Sequence, residues 1–209
     1  MVLAGGIVLL LIWGGARFHR AVASRAAISQ FQAAQASMGT ELYRSVDPAL
    51  GPKVDFSLWS KKRVAAYEAS LKEKEDKALA ILRIPKINLQ VPVFDDTDEL
   101  TLNRGLGRIK GTARIGQPGN VGIAGHRDGF FRGLKDIAPG DVIEMEIPGR
   151  TERYVVTEIQ IVSPEDTQVL DATPTPTLTL VTCFPFYYIG SAPQRYIVTA
   201  SIQNSSQRE

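Results

Sequence analysis

The chain of 209 residues has one cysteine, Cys183, and two histidines, His19 and His126. A single cysteine excludes a disulfide framework within the chain. Cys183, His19 and His126 are too widely separated to offer the short ligand spacings of a zinc site, so no metal and no cofactor is expected. A basic stripe is also missing. With 24 Lys and Arg against 22 Asp and Glu, the formal charge is only +2, which gives no footprint for neutralising phosphates and no reason to expect a nucleic-acid partner. Internal repeats and low-complexity tracts are absent. What remains is an ordinary globular composition, 44% hydrophobic and 22% charged, long enough to bury one core beside an appendage.

Charge is absent from residues 1–16, MVLAGGIVLLLIWGGA. A bilayer core about 30 Å thick asks for about 20 apolar residues, so this run suffices as a short anchor. A cleaved signal peptide would carry positive charge before its apolar run. Here Arg17, Arg20 and Arg25 follow it instead, which favours an uncleaved single-pass membrane anchor. The same arginines would hold the rest of the chain on the cytoplasmic side by the charge rule. An extracytoplasmic domain therefore has to be argued from function. Residues 17–56 read as a helical stalk and linker, the stretch 39–56 being broken by Gly and Pro.

Ser60 can cap a helix running to about Lys77, with Val64, Tyr67 and Leu71 on one face. From Leu79 the period shortens to two. The runs ILRIPKI, LQVPVF, NVGIAGH, DVIEMEI, RYVVTEIQIV, TLTLVTC and RYIVTASI, separated by turn signals, predict an all-β barrel or sandwich spanning 57–203 with its leading helix. Pro85 and Pro92 suggest edge strands or bulges. Short helices are expected around Leu100–Gly105 and Phe130–Ile137.

Within TLTLVTC, alternation puts Leu178 and Leu180 on the core face and Thr179, Val181 and Cys183 on a more polar one. If RYIVTASI is the antiparallel neighbour, Cys183 ends one strand where Arg195 begins the next. A thiol beside a guanidinium favours the thiolate. His126 closes another strand-like run beside Gly125, poised to reach outward. Taken singly, the cysteine reads as a small buried hydrophobe, the histidine as an idle surface group and the arginine as a solvated strand end. Together, at strand ends beside Gly- and Pro-rich loops, they form a set for acyl transfer. Cys183 would be the nucleophile and His126 the acid/base, while Arg195 would donate hydrogen bonds to the oxyanion or hold the peptide carbonyls. Phe184, Phe186, Tyr187 and Tyr188 offer either an aromatic wall for a peptide or plain loop packing.

Three segments carry a resemblance: TLVTC at 179–183, QRYIV at 194–198 and NVGIAGHRDGFF at 120–131. Together they resemble a sortase. Cys-Phe-Pro-Phe at 183–186, Gly-Ser-Ala-Pro at 190–193, Ser-Leu-Trp-Ser at 57–60 and Leu-Arg-Ile-Pro at 82–85 are similar to class D. The resemblance covers residues 55–202. It implies an eight-stranded sortase β-barrel on an N-terminal anchor, outside the cytoplasmic membrane. It also implies a cysteine transpeptidase that cleaves a signal similar to Leu-Pro-any-Thr-Gly and passes the acyl group to a peptidoglycan or protein amine. His126, Cys183 and Arg195 take the family's catalytic positions, as a thiolate–imidazolium pair with an arginine. Thr182 takes a position that often contacts substrate.

Rival cysteine and serine chemistries do not fit. A cysteine phosphatase needs Arg six residues past its nucleophile, where this chain has Ile189. The Ser-His-Gly-Cys of an L,D-transpeptidase and the Gly-any-Ser-any-Gly of a serine hydrolase are both missing. The alternative from another class is a non-catalytic anchored barrel that binds envelope peptides. Reactivity of Cys183 toward a peptide-like vinyl sulfone separates the two.

Overall fold

The structure is a computed structural model, and it describes residues 29, 31, 54, 56–70, 77–188 and 190–203. The expected anchor (1–16) and nearly all of the expected stalk and linker (17–56) lie outside the described residues. Among the described residues no helix is long and apolar enough to cross a membrane.

The period-two runs become eight strands: β1 (Ala80–Ile84), β2 (Leu89–Phe94), β3 (Leu106–Arg108), β4 (Asn120–Ala124), β5 (Val142–Ile147), β6 (Arg150–Val162), β7 (Thr177–Phe184) and β8 (Gln194–Ile202). They close into a barrel in the order β1-β2-β3-β4-β7-β8-β6-β5. Most neighbours are antiparallel, but β2–β3 and β4–β7 are parallel. Inward-facing Leu82, Ile84, Val91, Val93, Leu106, Ile123, Ile143, Met145, Leu178, Leu180 and Val198 fill the interior. Leu178 and Leu180 thus lie in the core, as alternation requires.

Closure leaves no sheet edge for the two prolines. Pro85 instead opens a 3₁₀ turn, Pro85–Ile87, where its fixed φ suits the first position. Pro92 lies inside β2. The Val93 carbonyl accepts from Leu79 N at 2.7 Å on the β1 side, so Pro92 turns its nitrogen toward β3. The β2–β3 register begins only at Val93↔Leu106, so no ladder bond is lost there.

Helix α1 (Lys61–Ser70) is capped by Ser60, whose Oγ accepts from Arg63 N at 3.2 Å. Tyr67 on its inner face is fully buried and packs edge-on to Trp59 and Phe130, with ring centroids 5.7 and 5.9 Å away. Leu71, expected on the same face, lies outside the described residues. Helix α2 (Glu99–Arg104) starts at Asp98, whose carboxylate accepts from Thr101 N at 2.9 Å. The second short helix, Phe130–Asp136, is a 3₁₀ turn.

Candidate active site

Three adjacent strands build the site. The β4–β7 register ends at Ala124↔Val181. One residue further, Gly125 N donates to the Val181 carbonyl at 3.2 Å, and Thr182 Oγ1 donates to the Gly125 carbonyl at 2.7 Å. This brace ties the two strand ends together and brings His126 alongside Cys183. On the other side of β7, Cys183 pairs directly with Arg195. His126, Cys183 and Arg195 therefore form a row across β4, β7 and β8 at one mouth of the barrel.

Gly125 is required for this close fit. A Cβ there would stand 2.6 Å from Leu106 Cδ2 and 2.7 Å from Phe131 Cδ2. Thr182 faces inward and is only 2% exposed. It takes a position that the resemblance implies often contacts substrate, and here its hydroxyl is engaged within the protein at the strand-end brace.

His126 does not reach out as its sequence position suggested. Its side chain is 19% exposed, because α1 and α2 close over it. Glu99 Oε2 stands 3.5 Å from His126 Nε2, and Arg63 Nη1 holds Glu99 Oε1 at 3.2 Å. Arg63 Nε bonds Asp128 Oδ1 at 3.1 Å, and its Nη1 also donates to Asn103 Oδ1. Burial pushes the imidazole below its ordinary pKa, and the Arg63 charge acts the same way. Glu99 and Asp128 oppose them.

Cys183 is a free, half-buried thiol. The outer face of β7 behind it is less open than alternation implied. Thr179 is fully buried and donates to Asn120 Oδ1 at 2.7 Å, while Asn120 Nδ2 donates to the Val169 and Asp171 carbonyls. The β6–β7 connection thus covers that face and leaves Cys183 near its open end. Arg195 Nη1 donates to the carbonyls of Ala192 and Gln194 at 3.3 and 3.1 Å, fixing the guanidinium at the loop.

The aromatic loop divides. Phe186 is buried against Phe184 and Tyr196, at centroid distances of 5.9 and 5.0 Å, which is packing. Tyr187 and Tyr188 are exposed, at 69% and 48%. Arg132 lies over the Tyr187 ring at 4.1 Å and donates to the Phe186 carbonyl. Arg127 donates to the Tyr188 and Gly190 carbonyls at 3.0 and 2.8 Å. Both arginines come from the segment just after β4, so this segment carries His126 and also holds the loop that follows Cys183. Among the described residues no cluster of three or more His, Cys, Asp or Glu is arranged to hold a metal ion.

A Sortase domain family model matches residues 82–203, which includes the whole row. The chain belongs to the sortase family. Sortase D of Bacillus subtilis (strain 168) is 34% identical over 135 residues, covering 64% of this chain and 68% of that protein. A structure of a Clostridium perfringens sortase D5 transpeptidase is 28% identical with a TM-score of 0.56, covering 71% of this chain and 91% of its own. Sortase A of Corynebacterium diphtheriae, solved as a lid mutant, is 26% identical with a TM-score of 0.59 and covers 90% and 95%. As a sortase, this chain is a cysteine transpeptidase, and its class D likeness agrees with the motifs around Cys183.

Sequence reasoning missed Arg63, Glu99 and Asp128 around the histidine, and Arg127 and Arg132 under the loop. Arg63 and Asp128 are 65 positions apart, so no local pattern could have joined them.

Proposed function

We propose that this sortase cleaves a signal similar to Leu-Pro-any-Thr-Gly after its threonine and transfers the acyl group to an amine. Cys183, His126 and Arg195 carry the chemistry. The reading rests on the row of these three residues across the ends of β4, β7 and β8. The Cys183 thiolate attacks the threonine carbonyl carbon, and the C=O electron pair moves to oxygen. Arg195 donates to that oxyanion from a planar fork. As the intermediate collapses, the C–N bond breaks and His126 gives its proton to the leaving glycine amine. A thioester remains on Cys183. An incoming amine attacks it, the C–S bond breaks, and the amine's proton returns to His126. Thr182 serves substrate placement through its brace on Gly125, which fixes the floor of the site.

The acyl donor in this reading is a surface protein bearing the sorting signal. The acceptor is a peptidoglycan or protein amine. Residues 1–16 anchor the chain by a single pass in the cytoplasmic membrane, with the barrel outside.

The full chain should cleave a fluorogenic Leu-Pro-any-Thr-Gly peptide, and an added amine should be incorporated at the threonine carboxyl. Intact-mass measurement should find the acyl group on wild type and not on Cys183→Ala. Cleavage surviving in Cys183→Ala would refute the mechanism. Because Cys183 is the sole cysteine, a membrane-impermeant thiol reagent applied to intact cells reports its side of the membrane. Labelling only after lysis would refute the extracytoplasmic placement.

A further inference from the structure

His126 sits inside a cage of charge that its own strand does not supply. Arg63 reaches it from α1, Glu99 from α2 and Asp128 from the turn after β4. Cys183 and Arg195 lie on the far side, on β7 and β8. Nε2 is buried and has no hydrogen-bond partner among the described residues, and the Glu99 carboxylate stands 3.5 Å away. The side chain of Glu99 is 71% exposed, so nothing about its packing holds it there. Arg63, only 15% exposed, grips the other Glu99 oxygen, Asp128 and Asn103 at once. Aromatic contacts seat α1 over the histidine: Trp59 and Tyr67 both pack on Phe130, four residues beyond His126.

We propose that Glu99, held in place by Arg63, is a positioning residue for His126, orienting the imidazole and stabilising its protonated form. This rests on the reading of His126 as the acid/base. Two carboxylates, from α2 and from the turn after β4, against the one guanidinium of α1 leave a net charge of −1 in this cage. A buried imidazole resists protonation, yet the leaving amine needs its proton, and a carboxylate in range offsets part of that resistance. Arg63 acts in two opposed ways. Its charge disfavours the imidazolium directly, while its hydrogen bonds hold the carboxylate that favours it.

The opposition gives a test that loss of packing cannot imitate. The full chain in detergent micelles, labelled with ¹³C at histidine Cε1, should give two imidazole resonances, since the only other histidine is His19. His126→Gln assigns them, and His19 is the internal reference. Glu99→Gln should lower the His126 titration midpoint by about half a unit, the size expected for an ion pair with an exposed carboxylate. Arg63→Gln should raise it, because a full charge beside the ring is lost while the glutamine amide can still donate to Glu99. Glu99→Asp should stay nearer wild type. In cleavage assays Glu99→Gln should cut kcat/KM about three- to tenfold, with most of the loss in kcat. An unmoved or raised midpoint in Glu99→Gln would overturn the proposal. If Glu99→Gln does not fold, Arg63→Gln and Glu99→Asp decide by the same midpoint. The titration is read without turnover, so an active His126→Ala enzyme would sink the acid/base reading while leaving the Glu99–His126 contact standing.

Discussion

Thr182→Val tests whether the strand-end brace sets the active site. Valine matches threonine in shape but puts a methyl where Oγ1 stands 2.7 Å from the Gly125 carbonyl oxygen. A carbon against that oxygen rests at about 3.3 Å, so the ends of β4 and β7 must separate by about half an ångström. A buried hydrogen bond is also lost and its acceptor stays away from water. The combined cost should be about 2 kcal/mol, lowering Tm by about 4–8 °C for a domain of this size. Catalytic constellations tolerate displacements of only about 0.5 Å, so kcat/KM should fall at least about tenfold at a temperature where the variant is fully folded. Thr182→Ser keeps the hydroxyl and should remain close to wild type in activity. Thermal unfolding followed by circular dichroism, with peptide cleavage well below Tm, reads both quantities. A Thr182→Val enzyme that is destabilised yet fully active would refute the brace as a determinant of the His126–Cys183 geometry. One with unchanged Tm would refute the energetic argument.

Gly125→Ala should be worse than its size suggests, because the new methyl meets Leu106 and Phe131 at 2.6 and 2.7 Å. Overpacking of about 1–3 kcal/mol is expected by urea unfolding, together with loss of cleavage as His126 shifts. Arg195→Lys keeps the charge and loses the fork, so kcat should fall about a hundredfold or more while Cys183 alkylation continues; near-normal kcat would remove the oxyanion role. Burial holds the His126 pKa below its ordinary value, so the fold favours the neutral ring. The resulting stability is full above the ordinary imidazole pKa and is lost as pH falls through the lowered native one. Urea unfolding between about pH 7.5 and 5 should show this slope, and His126→Gln should flatten it; an unchanged slope assigns the effect elsewhere.

The sequence made much of this visible because strand alternation and turn residues are local signals. Leu178 and Leu180 fall in the core as the period of two required, and Cys183 pairs with Arg195 because β7 and β8 are antiparallel neighbours. Ser60 caps α1 and Tyr67 is buried, again from spacing within one turn or two. Sequence reading misjudged features that depend on what covers a face. Thr179 lies on the outer side of β7 yet is fully buried, because the β6–β7 connection folds across it. His126 lies at a strand end yet is largely buried, because helices from two other parts of the chain meet above it. Pro92 looked like an edge residue because sequence alone does not show that the sheet closes.

The chain order of the site follows from the parallel pair β4–β7. In an antiparallel pair, neighbouring strands end at opposite mouths, so a residue just past one strand cannot stand beside a residue at the end of the next. Because β4 and β7 run parallel, His126 and Cys183 leave the barrel at the same mouth. β8 runs antiparallel to β7, and so begins at that mouth with Arg195. β3 is antiparallel to β4 and also begins there, at Gly107↔Ala124, so α2, leading into β3, delivers Glu99 to the histidine. A parallel pair needs a long connection, and here it contains β5 and β6. The backbone row is held by ladders on both sides of β7, extended toward His126 by the Gly125–Val181 and Thr182–Gly125 hydrogen bonds. The charges around the histidine come from outside the barrel's ladders, from α1, α2 and the turn after β4. Substitutions in the ladder should thus damage stability and activity together, whereas those at Arg63 and Glu99 should shift titration while leaving the fold intact.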